Sequence, residues 1–254
     1  SFSENELGDS LDYLDAGGES FTYGLEVSHL LHKSRKASFS VRTGYDIKSS
    51  ENTSEMVNTT KDNIDEVYLG LGGNLTDSYL GRTFYDLKFK MGLREGDTSR
   101  ALASRVGGSG KTIITNINLT RLQAAKILNS YFILKFTGQV NNTRALAPFL
   151  YGVGGMGTVR GYPISAYSGD MGYNISAEYT VPFPAQSDFP GLEVISFIAF
   201  LEYGQIYVRD EQVGEVDEHI TGAGAGFKIT IPKKQENDVG YNFAVTYGVP
   251  VFNS

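Results

Sequence analysis

Two-residue alternation runs through most of this chain. Phe21, Tyr23, Leu25 and Val27 fall on one face, and Thr22, Gly24, Glu26 and Ser28 on the other. That is the period of a β-strand, whose successive side chains point to opposite faces. The pattern returns at Phe39 to Asp46, Glu66 to Leu71, Tyr85 to Arg94, Thr112 to Thr120 and Phe132 to Gln139, and again at Tyr173 to Val181, Ile195 to Gly204, Gly226 to Ile231 and Tyr241 to Tyr247. Ten strands are predicted in all, and no helix. The polar, acidic, glycine-punctuated stretch from Ser1 to Glu19 reads as an exposed loop.

The second face of these strands is charged as well as polar. It carries Glu26, Arg42, Asp46, Glu66, Lys88, Lys90, Arg94, Lys135, Glu178, Glu202 and Lys228. Unpaired charges are costly to bury, so this face is expected to meet water. The connections alternate in length: short at His32 to Lys36, long at Lys48 to Asn63, short at Thr76 to Gly81, long at Gly96 to Gly110, short at Ala124 to Asn129, then a long central loop. An up-and-down membrane barrel, with short turns at one end and long loops at the other, produces that order. A soluble sheet with one wet face is the alternative.

Composition narrows the field further. No apolar run approaches the roughly 20 residues of a membrane helix, and the mean hydropathy is −0.20. Barrel strands cross in about 10 alternating residues and escape such a search. Thirty Gly, 16 Tyr and 15 Phe against 7 Pro suit aromatic girdles and a crowded lumen. A net charge of −7 argues against a nucleic-acid partner, which needs clustered cations. With no cysteine, disulfide and thiolate chemistry are absent.

Two glycine-rich segments mimic nucleotide sites. In VGGSGKT, Val106 to Thr112, the place of the first phosphate-loop glycine is held by Arg105, and a strand rather than a helix follows. In TGAGAG, Thr221 to Gly226, Phe227 stands where the third dinucleotide-fingerprint glycine belongs. Its alternate glycines Gly222, Gly224 and Gly226 instead predict a thin lumen wall against which another segment can pack. His29, His32 and His219 have no ligand spacing, so no metal site is predicted. No catalytic nucleophile, base and orienting group occur at a legible spacing, and no enzyme activity is expected.

The central loop, Gly154 to Asp170, reads GGMGTVRGYPISAYSGD and holds one arginine, Arg160, between Val159 and Gly161. A long loop with a lone cation between two amphipathic strands is expected to fold back into a polar space and to need an acidic partner there.

The stretch Val159, Arg160, Gly161, Tyr162 resembles the sixth-loop signature of the outer-membrane insertase and two-partner secretion superfamily. LDAGGESFTYGLEVSHLL at Leu14 to Leu31, GLGGNLTDSYLGRTFYDLKFKMGL at Gly70 to Leu93, FTGQV at Phe136 to Val140 and SGDMGYNISAEY at Ser168 to Tyr179 are similar to its two-partner secretion branch. That branch comprises the TpsB proteins, of the filamentous haemagglutinin and haemolysin exporter type. The resemblance implies an integral outer-membrane, sixteen-stranded antiparallel barrel behind two POTRA domains and a plug helix. It would export one large TpsA-type exoprotein without ATP, in type V secretion. It also implies that the loop arginine reaches an acid on the thirteenth strand in an F-x-D-x-G pattern, for which this chain offers Phe200, Glu202 and Gly204, with Glu in place of Asp. The barrel is expected to be a monomer surrounded by lipid and lipopolysaccharide. Residues 1–254 would be a partial barrel domain of about ten strands, the sixth to the fifteenth, with the POTRA domains, the first strands and the last strand absent. A barrel-assembly insertase of the same superfamily, or a passive porin or adhesin, are the alternatives.

Overall fold

In the computed structural model, which describes residues 2–6, 17–54, 57–94, 104–184, 194–231 and 241–252, the chain is a long antiparallel meander. Its strands are β1 (Phe2–Glu6), β2 (Gly17–Lys33), β3 (Ala37–Ser54), β4 (Val57–Thr76), β5 (Gly81–Gly92), β6 (Ile113–Ala124) and β7 (Tyr131–Asn141). They continue as β8 (Tyr151–Val153), β9 (Tyr167–Gly169), β10 (Met171–Pro184), β11 (Val194–Tyr207), β12 (Glu218–Ile231) and β13 (Tyr241–Phe252). Eleven of them form one sheet in chain order, and β8 and β9 form a separate two-stranded ribbon within the central loop. Among the described residues there is no α-helix, and one 3-10 turn, Ala147–Phe149, follows β7. All ten predicted strands are present, as β2 to β7 and β10 to β13.

Two stretches read as loops are paired instead. Phe2–Glu6 lies along Gly17–Phe21 as an edge strand. The polar stretch from Lys48 to Asn63 is a hairpin arm: β3 continues to Ser54 and β4 begins at Val57, with Lys48 opposite Ile64 and Asn52 opposite Thr60. Its Ser, Thr and Asn give no apolar alternation from which a strand could be read. The backbone ladder needs none. Part of the arm's inner face is covered from elsewhere, because Ile64 is buried against Ile114, Ala145, Leu146 and Phe149, and the last three of these come from the descending limb of the central loop.

The sheet has one apolar face. Leu25, Val27, Leu201, Phe227, Phe243 and Val245 are exposed on it. Tyr173 and Tyr203, with ring centroids 5.9 Å apart, lie near the long-loop end, and Phe132 and Tyr179, at 4.6 Å, nearer the turns. Tyr173 and Tyr179 are six positions apart on β10, about 20 Å along the strand. The inner face pairs its charges: Arg42 with Asp86, Lys48 with Glu66 at 2.8 Å, and Tyr68 donating to Glu26 at 2.7 Å. Short turns at 34–36, 77–80 and 125–130 mark one end of the sheet, and the 93–112, 142–170 and 208–217 connections the other. The connections at 185–193 and 232–240 lie outside the described residues.

Candidate functional site

The central loop leaves β7, runs down the inner wall through the 3-10 turn and β8, turns at its tip, and returns through β9 into β10. Its fit is apolar before it is ionic. Val153 and Val159, both fully buried, pack on Ile206 of β11 and Ile220 of β12. Gly204 lies under them: a Cβ there would stand 3.0 Å from Val159 Cγ2 and 3.1 Å from Val153 Cβ. The wall is therefore shaved where the loop seats. Thr158 closes the tip, its hydroxyl accepting from Gly154 N–H at 2.7 Å and donating to Gly154 C=O at 2.9 Å.

Arg160 extends from this seat toward β11. Glu202 Oε1 accepts Arg160 Nε at 2.9 Å and Nη2 at 2.6 Å, and Oε2 accepts the Arg160 backbone N–H at 2.7 Å. Ser176, opposite Glu202 on β10, donates to Oε1 at 3.2 Å. The guanidinium lies over the Phe200 ring, 3.4 Å from its centroid, within cation–π range. The longer Glu thus holds side chain and backbone of one residue together. The side chains of Arg160 and Glu202 are only 14% and 5% exposed, so their attraction is screened little.

Gly161 and Tyr162 complete the motif. Gly161 has φ +97° and passes against Gly248 and Val249 of β13, where a side chain would meet both the left-handed penalty and the β13 backbone. Tyr162 donates to the Thr221 carbonyl at 3.2 Å. The three wall glycines separate: Gly222 admits the Arg160 carbonyl, Gly224 admits the Phe200 ring, and Gly226 lies against Val245 and Thr246 of β13, away from the loop.

Two groups of residues passed over in the sequence reading belong here. Glu178, read there as one lumen charge among several, accepts Arg160 Nη2 at 3.1 Å. The register supplied the signal, since Glu178 pairs with Phe200 and Ser176 with Glu202, which places both carboxylates on the inner face one pleat apart. The second group lies at the loop's root. Arg105 bonds Asp170 at 2.7 Å and Glu215 at 3.0 Å, and Arg144 bonds Glu215 at 2.6 and 2.9 Å. Burial pulls the Arg105 guanidinium down, but its two carboxylates outweigh that and hold it above its ordinary value. The Arg144 guanidinium, with Arg105 second among the lowering contacts, holds Glu215 at about 2. Spacing alone could not join these residues, which come from three loops. The segment around Gly107 to Thr112 packs on this cluster and leads into β6, so it builds no phosphate cradle.

Comparison with solved structures places the fold. CdiB from Escherichia coli matches with a TM-score of 0.73 at 17% identity, covering 93% of this chain and 42% of that one. CdiB from Acinetobacter baumannii matches with a TM-score of 0.65 at 15% identity, covering 92% and 43%. BamA from Haemophilus ducreyi lacking POTRA domains 1-3 matches with a TM-score of 0.62 at 15% identity, covering 94% and 52%. The chain thus spans about half the length of these proteins or less. No curated protein sequence matches it. The family model described as haemolysin secretion/activation protein ShlB/FhaC/HecB matches residues 3–229, and the chain belongs to that family.

Proposed function

We propose that this chain is barrel wall and pore loop of an outer-membrane transporter of two-partner, type V secretion, and that its cargo is a large TpsA-type exoprotein. The barrel sits in the outer membrane as a monomer, its apolar face against lipid and lipopolysaccharide. The central loop occupies the pore, and the Arg160–Glu202 contact holds it there until cargo arrives. The observation that carries this reading is the threefold engagement of Glu202 by Arg160 inside a wall of the ShlB/FhaC/HecB family. A lumen wall alone would suit a passive pore. A wall carved at Gly204 and Gly222 to seat one loop suits a pore that must be held and released.

The test is export of the partner exoprotein by the full-length transporter carrying Arg160→Glu, Glu202→Arg, or both. Each single change is expected to abolish export while the barrel reaches the membrane, and the exchanged pair to restore part of it. Full export by both single variants would refute the reading. The BamA likeness rests on fold alone, and a second role in membrane-protein insertion would show as loss of other outer-membrane proteins on depletion.

A further inference from the structure

Asp170 ends the central loop, immediately before β10, and it is fully buried. Its carboxylate is saturated by partners from three directions. Oδ1 accepts the backbone N–H of Ala145 at 2.7 Å and Arg105 Nη1 at 2.7 Å, and Oδ2 accepts the backbone N–H of Arg209 at 2.9 Å. Ala145 is on the descending limb of the loop and Asp170 on the returning limb, 25 residues later. Arg209 belongs to the connection between β11 and β12, the strand carrying Glu202 and its neighbour. One side chain therefore closes the loop upon itself and ties the closure to the wall that receives the tip.

Around it the fastening is doubled. Arg105 also reaches the Ala145 carbonyl at 3.2 Å, and Arg144, next to Ala145, bonds the carbonyls of Val106, Arg209 and Asp210 at 2.8 to 3.2 Å. Glu215 bridges the two arginines. The set holds two buried guanidinium groups against two carboxylates, so its charges balance without counterions. A charge buried without partners is expensive; the loop root thus has one arrangement in which all four groups are satisfied.

We infer that Asp170 is the positioning residue of the inward loop: by joining its two limbs to each other and to the β11–β12 connection, it sets the depth at which Val159 and Arg160 meet the wall. The inference rests on the proposed pore-loop function only for its consequence in export. Its structural content is separate. The tip makes its own contacts with Glu202, but those contacts find their register only if both limbs start from fixed points. Without the clamp the two limbs are joined by the short β8–β9 ladder, Tyr151 to Val153 against Tyr167 to Gly169, with nothing at Asp170 to tie that ladder to the β11–β12 connection, and docking must then repay the lost order.

The test uses the full-length transporter with a cysteine placed by Val159→Cys, since residues 1–254 have no cysteine of their own. Val159, on the loop tip, is fully buried against the wall, so a water-soluble maleimide labels the cysteine there only when the tip lifts. A second reporter, Ser130→Cys, sits buried at the opposite, turn end of the sheet and reports general loosening. Asp170→Asn is expected to raise the labelling rate at position 159 about tenfold or more, the scale of one lost charge-assisted hydrogen bond, while the rate at 130 stays at its original value. Unchanged labelling at 159, or an equal rise at both positions, overturns the inference. Should Asp170→Asn fail to assemble in the membrane, Arg105→Lys decides by the same criteria. It keeps the charge but loses the fork that spans Asp170 and Glu215. Asp170→Glu, which restores the carboxylate, is expected to return labelling part of the way. Faster labelling at 159 with undiminished export would leave the positioning role standing and remove the loop from the export mechanism.

Discussion

Arg160 has two carboxylates within reach, and their unequal engagement yields a measurable ranking. Glu202 takes three hydrogen bonds from Arg160, and its side chain is 5% exposed. Glu178 takes one at 3.1 Å and is 21% exposed. Hydrogen bonds to a charged group contribute about 1.5–3 kcal/mol each, and removing one partner of a buried pair costs about 3–5 kcal/mol. Glu202→Gln keeps a carbonyl acceptor and the side-chain volume, so about 3 kcal/mol of loop docking is lost, roughly 100-fold in the equilibrium. Glu178→Gln removes a partly wet contact of about 0.5–1 kcal/mol, roughly threefold. Labelling of Val159→Cys reports the lifted fraction directly, because reaction passes through that state. The expected order of rates is the parent, then Glu178→Gln, then Glu202→Gln, with the double variant faster than the product of the singles, since Glu178 holds the guanidinium once Glu202 is neutral. Equal rates for the two single variants, or a larger effect at Glu178, would refute the assignment of Glu202 as the principal partner.

Further outcomes follow from the same geometry. Glu215 titrates at about 2 in the fold and at about 4.3 when free; a depressed carboxylate stabilises fully above the free value, and the contribution fades as pH falls from about 4 through 2. With 29% of its side chain exposed, roughly 1–2 kcal/mol is at stake, and a spin label at Val213 in the same connection is expected to gain mobility over that interval but not between pH 5 and 8. Gly204→Leu forces a branched side chain into the space of Val153 and Val159; overpacking of about 1–3 kcal/mol is expected to lift the tip while the β10–β11–β12 ladder persists, seen as fast labelling at position 159 with a normal heat-modifiable barrel band. Leu146→Ala, in the cluster that joins the descending limb to β4 and β6, is expected to destabilise that packing by about 2–5 kcal/mol and to speed hydrogen exchange of the 60–64 amides in the hairpin arm more than those of β10.

The strands were legible because a membrane wall repeats one rule at every position. Phe21 to Val27 and Tyr173 to Val181 alternate so regularly that facing follows from the period alone, while the pairing register comes from the folded sheet. The residues alone called only for some acid to meet Arg160; Glu202 was singled out by the resemblance of Phe200, Glu202 and Gly204 to the family's F-x-D-x-G pattern, not by any period or spacing of its own. The hairpin arm at Lys48 to Asn63 was not legible. Its ladder depends on backbone pairing with a partner strand, and Ile64, just past it on β4, is covered by a loop some 80 residues later, around Leu146 and Phe149. The root cluster was hidden for a related reason: Arg105, Arg144, Asp170 and Glu215 lie in connections with no period, and only the folded sheet brings their ends together.

If the loop is released as proposed, the contrast between wall and loop makes that release local. Every interior strand of the sheet is hydrogen-bonded along both sides, and freeing one within lipid would strand backbone groups with no water to meet them, at several kcal/mol for each. The loop is held differently, by side chains at its tip and root with an apolar seat between. Its lifting exposes Arg160, Glu202 and the root charges to a polar, wet lumen, where hydration replaces most of what is lost. Glu178 lowers the cost further: more exposed than Glu202 and one pleat away along the inner face, it keeps a carboxylate beside the guanidinium when the inner contact breaks. On the proposed pore-loop role, a lock made this way would stay closed by a few kcal/mol and open without disturbing the wall that contains it.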